Sequence, residues 1–195
     1  TSTTAATLAV TVNERDYIVK GTDGDDTLDA AYIDVDSDTV TDADDMLEGL
    51  GGNDLLVGGA GADHLDGGSG SDTAGYANAS AGLTASLNDG SGNTGDAAGD
   101  TYVSIENLTG SAFADMLTGD AADNTLAGGG GDDTLNGLAG DDMLCGMEGD
   151  DLINGGDGND LLIGGTESAA LQPFALAALA AVTDNDTLNG APVDP

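Results

Sequence analysis

The sequence is nearly without positive charge. Lys and Arg number 2 in 195 residues against 37 Asp and Glu, for a formal net charge of −35. Nucleic-acid phosphates are neutralised by clustered cationic side chains, so nucleic acid is excluded as a partner. An anionic membrane surface repels such a chain unless divalent cations screen it. Cysteine occurs once, at Cys145, which excludes an internal disulfide framework and a cysteine-based zinc cluster. Tryptophan is absent and aromatics are 3% of the chain. Leu, Ile, Val and Phe are too sparse, at this charge, to drive collapse unaided. No apolar run approaches the roughly 20 residues of a membrane span. No charged leader and apolar segment precede the repeats described next. The chain is therefore expected to be a mature or excised piece, or to be exported by a route that reads no N-terminal signal.

What abounds is glycine, 33 residues, recurring in a fixed order with Asp and Leu. From Val40 the chain divides every nine residues into VTDADDMLE, GLGGNDLLV, GGAGADHLD and GGSGSDTAG, ending at Gly75. A second phase runs from Thr101 to Ile163 as TYVSIENLT, GSAFADMLT, GDAADNTLA, GGGGDDTLN, GLAGDDMLC, GMEGDDLIN and GGDGNDLLI. The sixth position holds Asp45, Asp54, Asp63 and Asp72, then Glu106, Asp115, Asn124, Asp133, Asp142, Asp151 and Asp160. The eighth holds Leu47, Leu56, Leu65 and Ala74, then Leu108, Leu117, Leu126, Leu135, Leu144, Ile153 and Leu162. A short fixed period of this kind marks a solenoid.

Residue types say what one unit is. A Gly-Gly-x-Gly-x-Asp stretch places backbone at positive φ and turns its carbonyls toward a common centre. The x-Leu-x that follows is extended, with its middle residue inward and its neighbours outward. Two units complete one turn of a flattened spiral, and successive turns stack as parallel strands over Leu ladders. One inward Leu per unit does not offset the ordering of so glycine-rich a backbone, still less the repulsion among carboxylates. A hard divalent cation between stacked loops answers both problems. Calcium suits carbonyl-rich loops, because it accepts six to eight oxygens in flexible geometry where magnesium demands a tight octahedron.

The units Gly58-Gly59-Ala60-Gly61-Ala62-Asp63-His64-Leu65-Asp66 and Gly128-Gly129-Gly130-Gly131-Asp132-Asp133-Thr134-Leu135-Asn136 resemble the nonapeptide of the RTX, or haemolysin-type, calcium-binding repeat family. The resemblance implies an all-β, right-handed parallel β-roll, calcium between turns, and bacterial type I secretion to the cell exterior or surface. Carried onto this sequence, it implies sites between loops two units apart. These pair Asp45 with Asp63, Asp54 with Asp72, Asp115 with Asp133, Asp133 with Asp151, and Asp142 with Asp160. Asn124 stands in the same column with less charge, and Glu106 sits in a loop without glycine. Carbonyl ligands are implied at Gly49, Gly51, Gly58, Gly59, Gly61, Gly128, Gly129, Gly131, Gly140, Gly149, Gly155, Gly156 and Gly158. The expected load is about five to eight calcium ions.

The organisation expected is an N-terminal cap or strand (1–20), a first repeat block (21–75), an insertion (76–100), a second block (101–165) and a C-terminal cap with a degenerate repeat (166–195). Asp26 ends another Gly-x-x-Gly-x-Asp stretch, but lies 19 residues before Asp45, so a site pairing the two needs a bulge. Asp34, Asp36 and Asp38 alternate like the start of an EF-hand loop; without its central glycine the segment reads as an acidic, solvated loop. In the insertion Leu83, Ala85 and Leu87 alternate as a strand, as do Val103 and Ile105 beyond it. Gly90 to Gly99 reads as a projecting loop. One elongated roll is expected, with two independent rolls as the alternative. Leu171 to Val182 reads as a short helix capping the open end. Asp184 to Asn189 echoes the repeat out of register, and Leu8, Val10, Val12 and Tyr17 to Val19 read as capping strands.

Catalysis is not expected. His64 and Cys145 occupy outward strand positions, and the paired carboxylates stand in metal-site context rather than as a glycosidase pair. The reading is a calcium-binding module with a structural or assembly role that folds on binding. Two alternatives stay open: a repeat segment of a larger secreted enzyme, or an adhesin, surface-layer or filament subunit. Self-association or a cell-surface or polysaccharide partner is likewise open.

Overall fold

A computed structural model describes residues 18–35, 37–165 and 187–189. Among them lie sixteen short strands, numbered in chain order, and two 3₁₀ turns. Every pairing of strands is parallel, in three sheets. The largest holds β2 (Thr27–Leu28), β4 (Leu55–Leu56), β6 (Thr73–Gly75), β9 (Asn107–Thr109), β11 (Thr125–Gly130), β13 (Met143–Glu148) and β15 (Leu161–Gly165). A second holds β1 (Ile18–Lys20), β3 (Met46–Glu48), β5 (His64–Asp66) and β8 (Thr101–Val103). The third holds β7 (Thr84–Ser86), β10 (Met116–Thr118), β12 (Thr134–Ala139), β14 (Leu152–Asp157) and β16 (Thr187–Asn189). The chain is all-β, a parallel β-roll, as the repeat implies.

The inward column is the core. Leu126 pairs with Leu108 and Leu144, and Leu135 with Leu117 and Ile153, so identical positions stack turn upon turn. Leu28, Leu47, Leu56, Leu65, Leu117 and Leu135 are fully buried. Each such side chain stabilises the fold by roughly 1.5–3 kcal/mol on leaving water. The flanking residues, among them Met116, Met143, Leu152 and Leu161, face out.

Three features depart from the sequence reading. Asp26 does not stack on Asp45. Its strand β2 pairs with β4, so its partner is Asp54, 28 residues on. The extra length is taken up between β2 and β3, where the acidic segment folds inward instead of lying in solvent. Asp34 and Asp38 are buried, and the Asp38 N–H donates to Asp34 Oδ1 at 2.9 Å. Gly90 to Gly99 does not project as a loop. It forms two 3₁₀ turns, Gly90–Gly92 and Gly95–Ala97, with Ala97 buried, and Asn93 is bonded to both Ser86 and Tyr102. This segment returns the chain from β7 to β8, joining the second and third sheets.

Tyr102 pairs with Leu65, which gives it the inward, eighth place that counting from Thr101 denies it. Ile18 to Lys20 forms a strand, while Leu8 to Val12, the expected helix at Leu171 to Val182 and the cap lie outside the described residues. Among the described residues no helix is long and apolar enough to cross a membrane.

Candidate metal centre

The sixth residue of each unit stands where loop becomes strand, so its carboxylate turns under the loop as the next residue enters the sheet. There the carboxylates form a ladder. The N–H of Asp45 donates to Oδ1 of Asp63 at 2.9 Å, that of Asp54 to Asp72 at 2.8 Å, and that of Asp115 to Asp133 at 2.8 Å. Asn124 donates to Asp142, Asp133 to Asp151 and Asp142 to Asp160 in the same way. All five Asp pairs expected from the sequence are therefore brought together, each by a main-chain N–H of one residue and a carboxylate of the other.

One oxygen per carboxylate is thereby used, and the other is the informative one. In Asp54, Asp63, Asp72, Asp133, Asp142 and Asp160, Oδ2 is buried and has no hydrogen-bond partner. A buried polar atom left so costs about 1–3 kcal/mol, more if charged. Asp26, Asp45 and Asp115 occupy the same place but have Oδ2 engaged by their own loop, and the single side-chain oxygen of Asn124, Oδ1, is engaged in the same way.

The first glycine of each unit makes room for that oxygen. A Cβ at Gly49, Gly58, Gly128 or Gly155 would overlap Oδ2 of Asp54, Asp63, Asp133 or Asp160. At Gly49 it would also come within 2.6 Å of the Gly67 carbonyl oxygen of the following turn, and at Gly128 within 2.7 Å of that of Gly146. Carboxylate and carbonyl oxygens thus face one spot. The other glycines expected to contribute carbonyls set the loop's course. Gly59, Gly129 and Gly156 sit second, and Gly61, Gly131, Gly140, Gly149 and Gly158 fourth, all at positive φ, while Gly51, third, pairs with Ser69 of the next turn.

Electrostatics points the same way. Burial pushes Asp63 up to about 7 against the lowering effect of the Asp45 N–H, with the charges of Asp100, Asp45 and Asp44 adding to the rise. Asp133 is likewise pushed up to about 7, chiefly by burial and then by Asp151 and Asp115. Asp54 and Asp142 are raised for the same reasons. These carboxylates ionise reluctantly without a counter-charge. Among the described residues no three acidic, His or Cys side chains converge, so a cation here draws its remaining ligands from carbonyls. That donor set, hard oxygens in flexible loops, fits calcium.

The sequence reading missed how the ladder crosses the insertion. Asp63 donates to Asp100 Oδ1 at 2.9 Å, Asp72 to Glu106 Oε2 at 2.8 Å, and Leu83 to Asp115 Oδ1 at 2.8 Å. Asp100 differs from its neighbours below, because its Oδ2 accepts the Tyr76 hydroxyl at 2.7 Å. The signal was there: Asp100-Thr101-Tyr102 has the spacing of Asp-x-Leu, with Tyr in the place of Leu. His64 Nδ1 lies 2.8 Å from Thr101 Oγ1. Burial and the charge of Asp151 push the Cys145 thiol up, which disfavours a thiolate nucleophile.

Stacked parallel strands joined by acidic glycine loops, with inner carboxylate oxygens left bare, define a metal-binding β-roll. The family model of the RTX calcium-binding nonapeptide repeat matches in four copies, over residues 39–74, 109–144 and 146–167. Residues 39–167 thus carry RTX calcium-binding nonapeptide repeats and form a calcium-binding repeat module. No curated protein matches it.

Proposed function

We propose that calcium is the structural counter-ion of this roll and the switch that folds it, and that the module is secreted or displayed at a bacterial surface in a structural or assembly role. The supporting observation is the set of buried, partnerless Oδ2 atoms on Asp54, Asp63, Asp72, Asp133, Asp142 and Asp160. A bound calcium supplies positive charge and accepts these oxygens together with loop carbonyls such as those of Gly67 and Gly146. Where free calcium is scarce the chain stays extended and exportable; at the roughly millimolar levels outside cells, the range of extracellular calcium modules, it folds. We read residues 21–165 as one elongated roll, supported by the seven-stranded sheet that takes strands from both blocks.

The test is circular dichroism and size-exclusion chromatography with mass detection across a calcium titration. The expected result is conversion from an expanded, structure-poor chain to a compact β-rich one. A chain equally β-rich and compact in excess chelator overturns the reading.

A further inference from the structure

Apart from the glycine-free unit that starts at Thr101, the nonapeptide loops adopt two conformations, and their second residue divides them. In seven loops that residue lies at positive φ: glycine in four, and Leu50, Leu138 and Met147 at 74°, 82° and 80° in the others. The fourth residue of each of these loops is a glycine, also at positive φ. So turned, the third residue's N–H reaches back one turn to the carbonyl of a second residue: Gly51 to Thr22 at 3.2 Å, Ser69 to Leu50 at 3.1 Å, Gly130 to Ser111 at 3.0 Å. In these open loops no hydrogen bond runs from the second residue's N–H to Oδ2 of Asp54, Asp63, Asp72, Asp133, Asp142 or Asp160. Of the sixth-position carboxylates, those of Asp54, Asp63, Asp72, Asp133, Asp142 and Asp160 have a bare Oδ2, and all six belong to open loops.

Four loops instead close on themselves, and they carry Thr22, Thr41, Ser111 and Asp120 second. The N–H of that residue donates to the side chain of the sixth, at 2.6 Å for Asp26, 2.7 Å for Asp45, 2.5 Å for Asp115 and 2.8 Å for Asn124. The hydroxyls of Thr22, Thr41 and Ser111 add a second bond to the same Asp at 2.7, 3.0 and 3.1 Å. The side-chain oxygen of the second residue accepts the N–H of the fourth in all four loops. None of these four side chains has a buried oxygen without a partner.

Their position in the stack gives the reason. An open loop needs a loop beneath it whose carbonyl its third residue can reach. Asp26 and Asp45 begin their stacks among the described residues. Asp115 stands over Leu83, and the side-chain amide of Asn124 donates to the carbonyl of Glu106, neither of which belongs to a glycine loop. A loop with no described glycine loop beneath it is satisfied from within, and Thr, Ser or Asp at its second residue provides that.

We propose that the open loops alone take up calcium, and that the four closed loops are metal-independent starter turns from which each block of the roll is built. The N–H and side chain of the second residue fill in them the role the cation has elsewhere. The proposal rests on the calcium reading above and restricts which repeats carry it out.

Bound calcium per chain, measured by equilibrium dialysis on the 195-residue protein, tests it. Asp45→Asn and Asp115→Asn keep the wild-type count, since Asn124 already serves in that place. Asp54→Asn and Asp133→Asn each bind one ion fewer. Leu50→Thr, which offers Asp54 the partners Thr22 gives Asp26, also loses one ion while circular dichroism in calcium still reports a folded roll. Loss of an ion by the Asp45 or Asp115 variant, or a full count in the Leu50 variant, overturns the division of loops. A wild-type chain that binds no calcium overturns the calcium reading itself.

Discussion

The Asp63 carboxylate packs so tightly over the Cα of Gly58 that a methyl group there would overlap its Oδ2, Cγ and Cβ. This glycine is therefore required by the carboxylate above it and not by its own backbone angles. Gly58→Ala pushes Asp63 off its ladder position, and overpacking of this kind costs about 1–3 kcal/mol. Gly92→Ala is the control, because a methyl group there meets nothing within 4 Å. Urea denaturation in saturating calcium is expected to show a lowered midpoint for the first variant and an unchanged one for the second. Equal effects would detach Gly58 from the metal site.

Calcium-free protein is expected to be more stable in mild acid than at neutral pH. Asp63 and Asp133 are pushed up to about 7 in the folded roll, against about 4 in an unfolded chain. The folded state then binds protons more tightly, so stability falls as pH rises through that window and the penalty is complete above it. With calcium present the sign reverses, because protons compete with the cation for the same oxygens. In chelator, circular dichroism should report more residual β structure at about pH 5 than at about pH 8, whereas in calcium the denaturation midpoint should be higher at about pH 8. Chelated protein that gains stability with rising pH contradicts the burial of these carboxylates.

The inward Leu column predicts a sharp contrast between neighbours. Leu126 is fully buried between Leu108 and Leu144, whereas Leu161, one residue before an inward position, is 43% exposed. Leu126→Ala should cost about 2–5 kcal/mol, as for other buried leucines. Leu161→Ala should stay within about 0.5 kcal/mol, as surface changes usually do. Thermal melts in calcium measure both, and similar losses would mean that the outward face is covered.

Period and residue type made the roll legible in the sequence, because Leu at every eighth place has only one side to bury. Stacking partners were less so. Counting in nines cannot tell that the segment after Asp29 folds inward and passes Asp26 on to Asp54. It also hides Asp100, since a phase that starts at Thr101 differs from the one set by the pairing of Tyr102 with Leu65. The loop Gly21 to Asp26 looks in sequence like the loop Gly58 to Asp63. What separates their conformations is the second residue, Thr22 against Gly59 at positive φ, and the absence of a described loop below Thr22, and the second of these is a property of the stack alone.

Tyr76 shows how the roll satisfies a ladder carboxylate without a metal. Its buried hydroxyl donates to Asp100 Oδ2 at 2.7 Å and lies 2.5 Å from the Tyr102 hydroxyl, while Asp100 Oδ1 takes the Asp63 N–H. Burial raises Asp100, and the Asp63 N–H and the Tyr76 hydroxyl both act to lower it. Tyr76→Phe keeps the ring in the core and removes only the donor, so a buried carboxylate oxygen loses its partner at a cost of about 1–3 kcal/mol. The number of calcium ions bound should not change, because the second and fourth residues of the segment from Gly95 to Asp100 lack the positive φ of the open loops. Isothermal titration calorimetry paired with thermal denaturation separates the two effects. A variant of unchanged stability would show that the tyrosine hydroxyl is not what satisfies Asp100, and an additional bound ion would show that the segment around Asp100 can complete a metal site once the hydroxyl is gone.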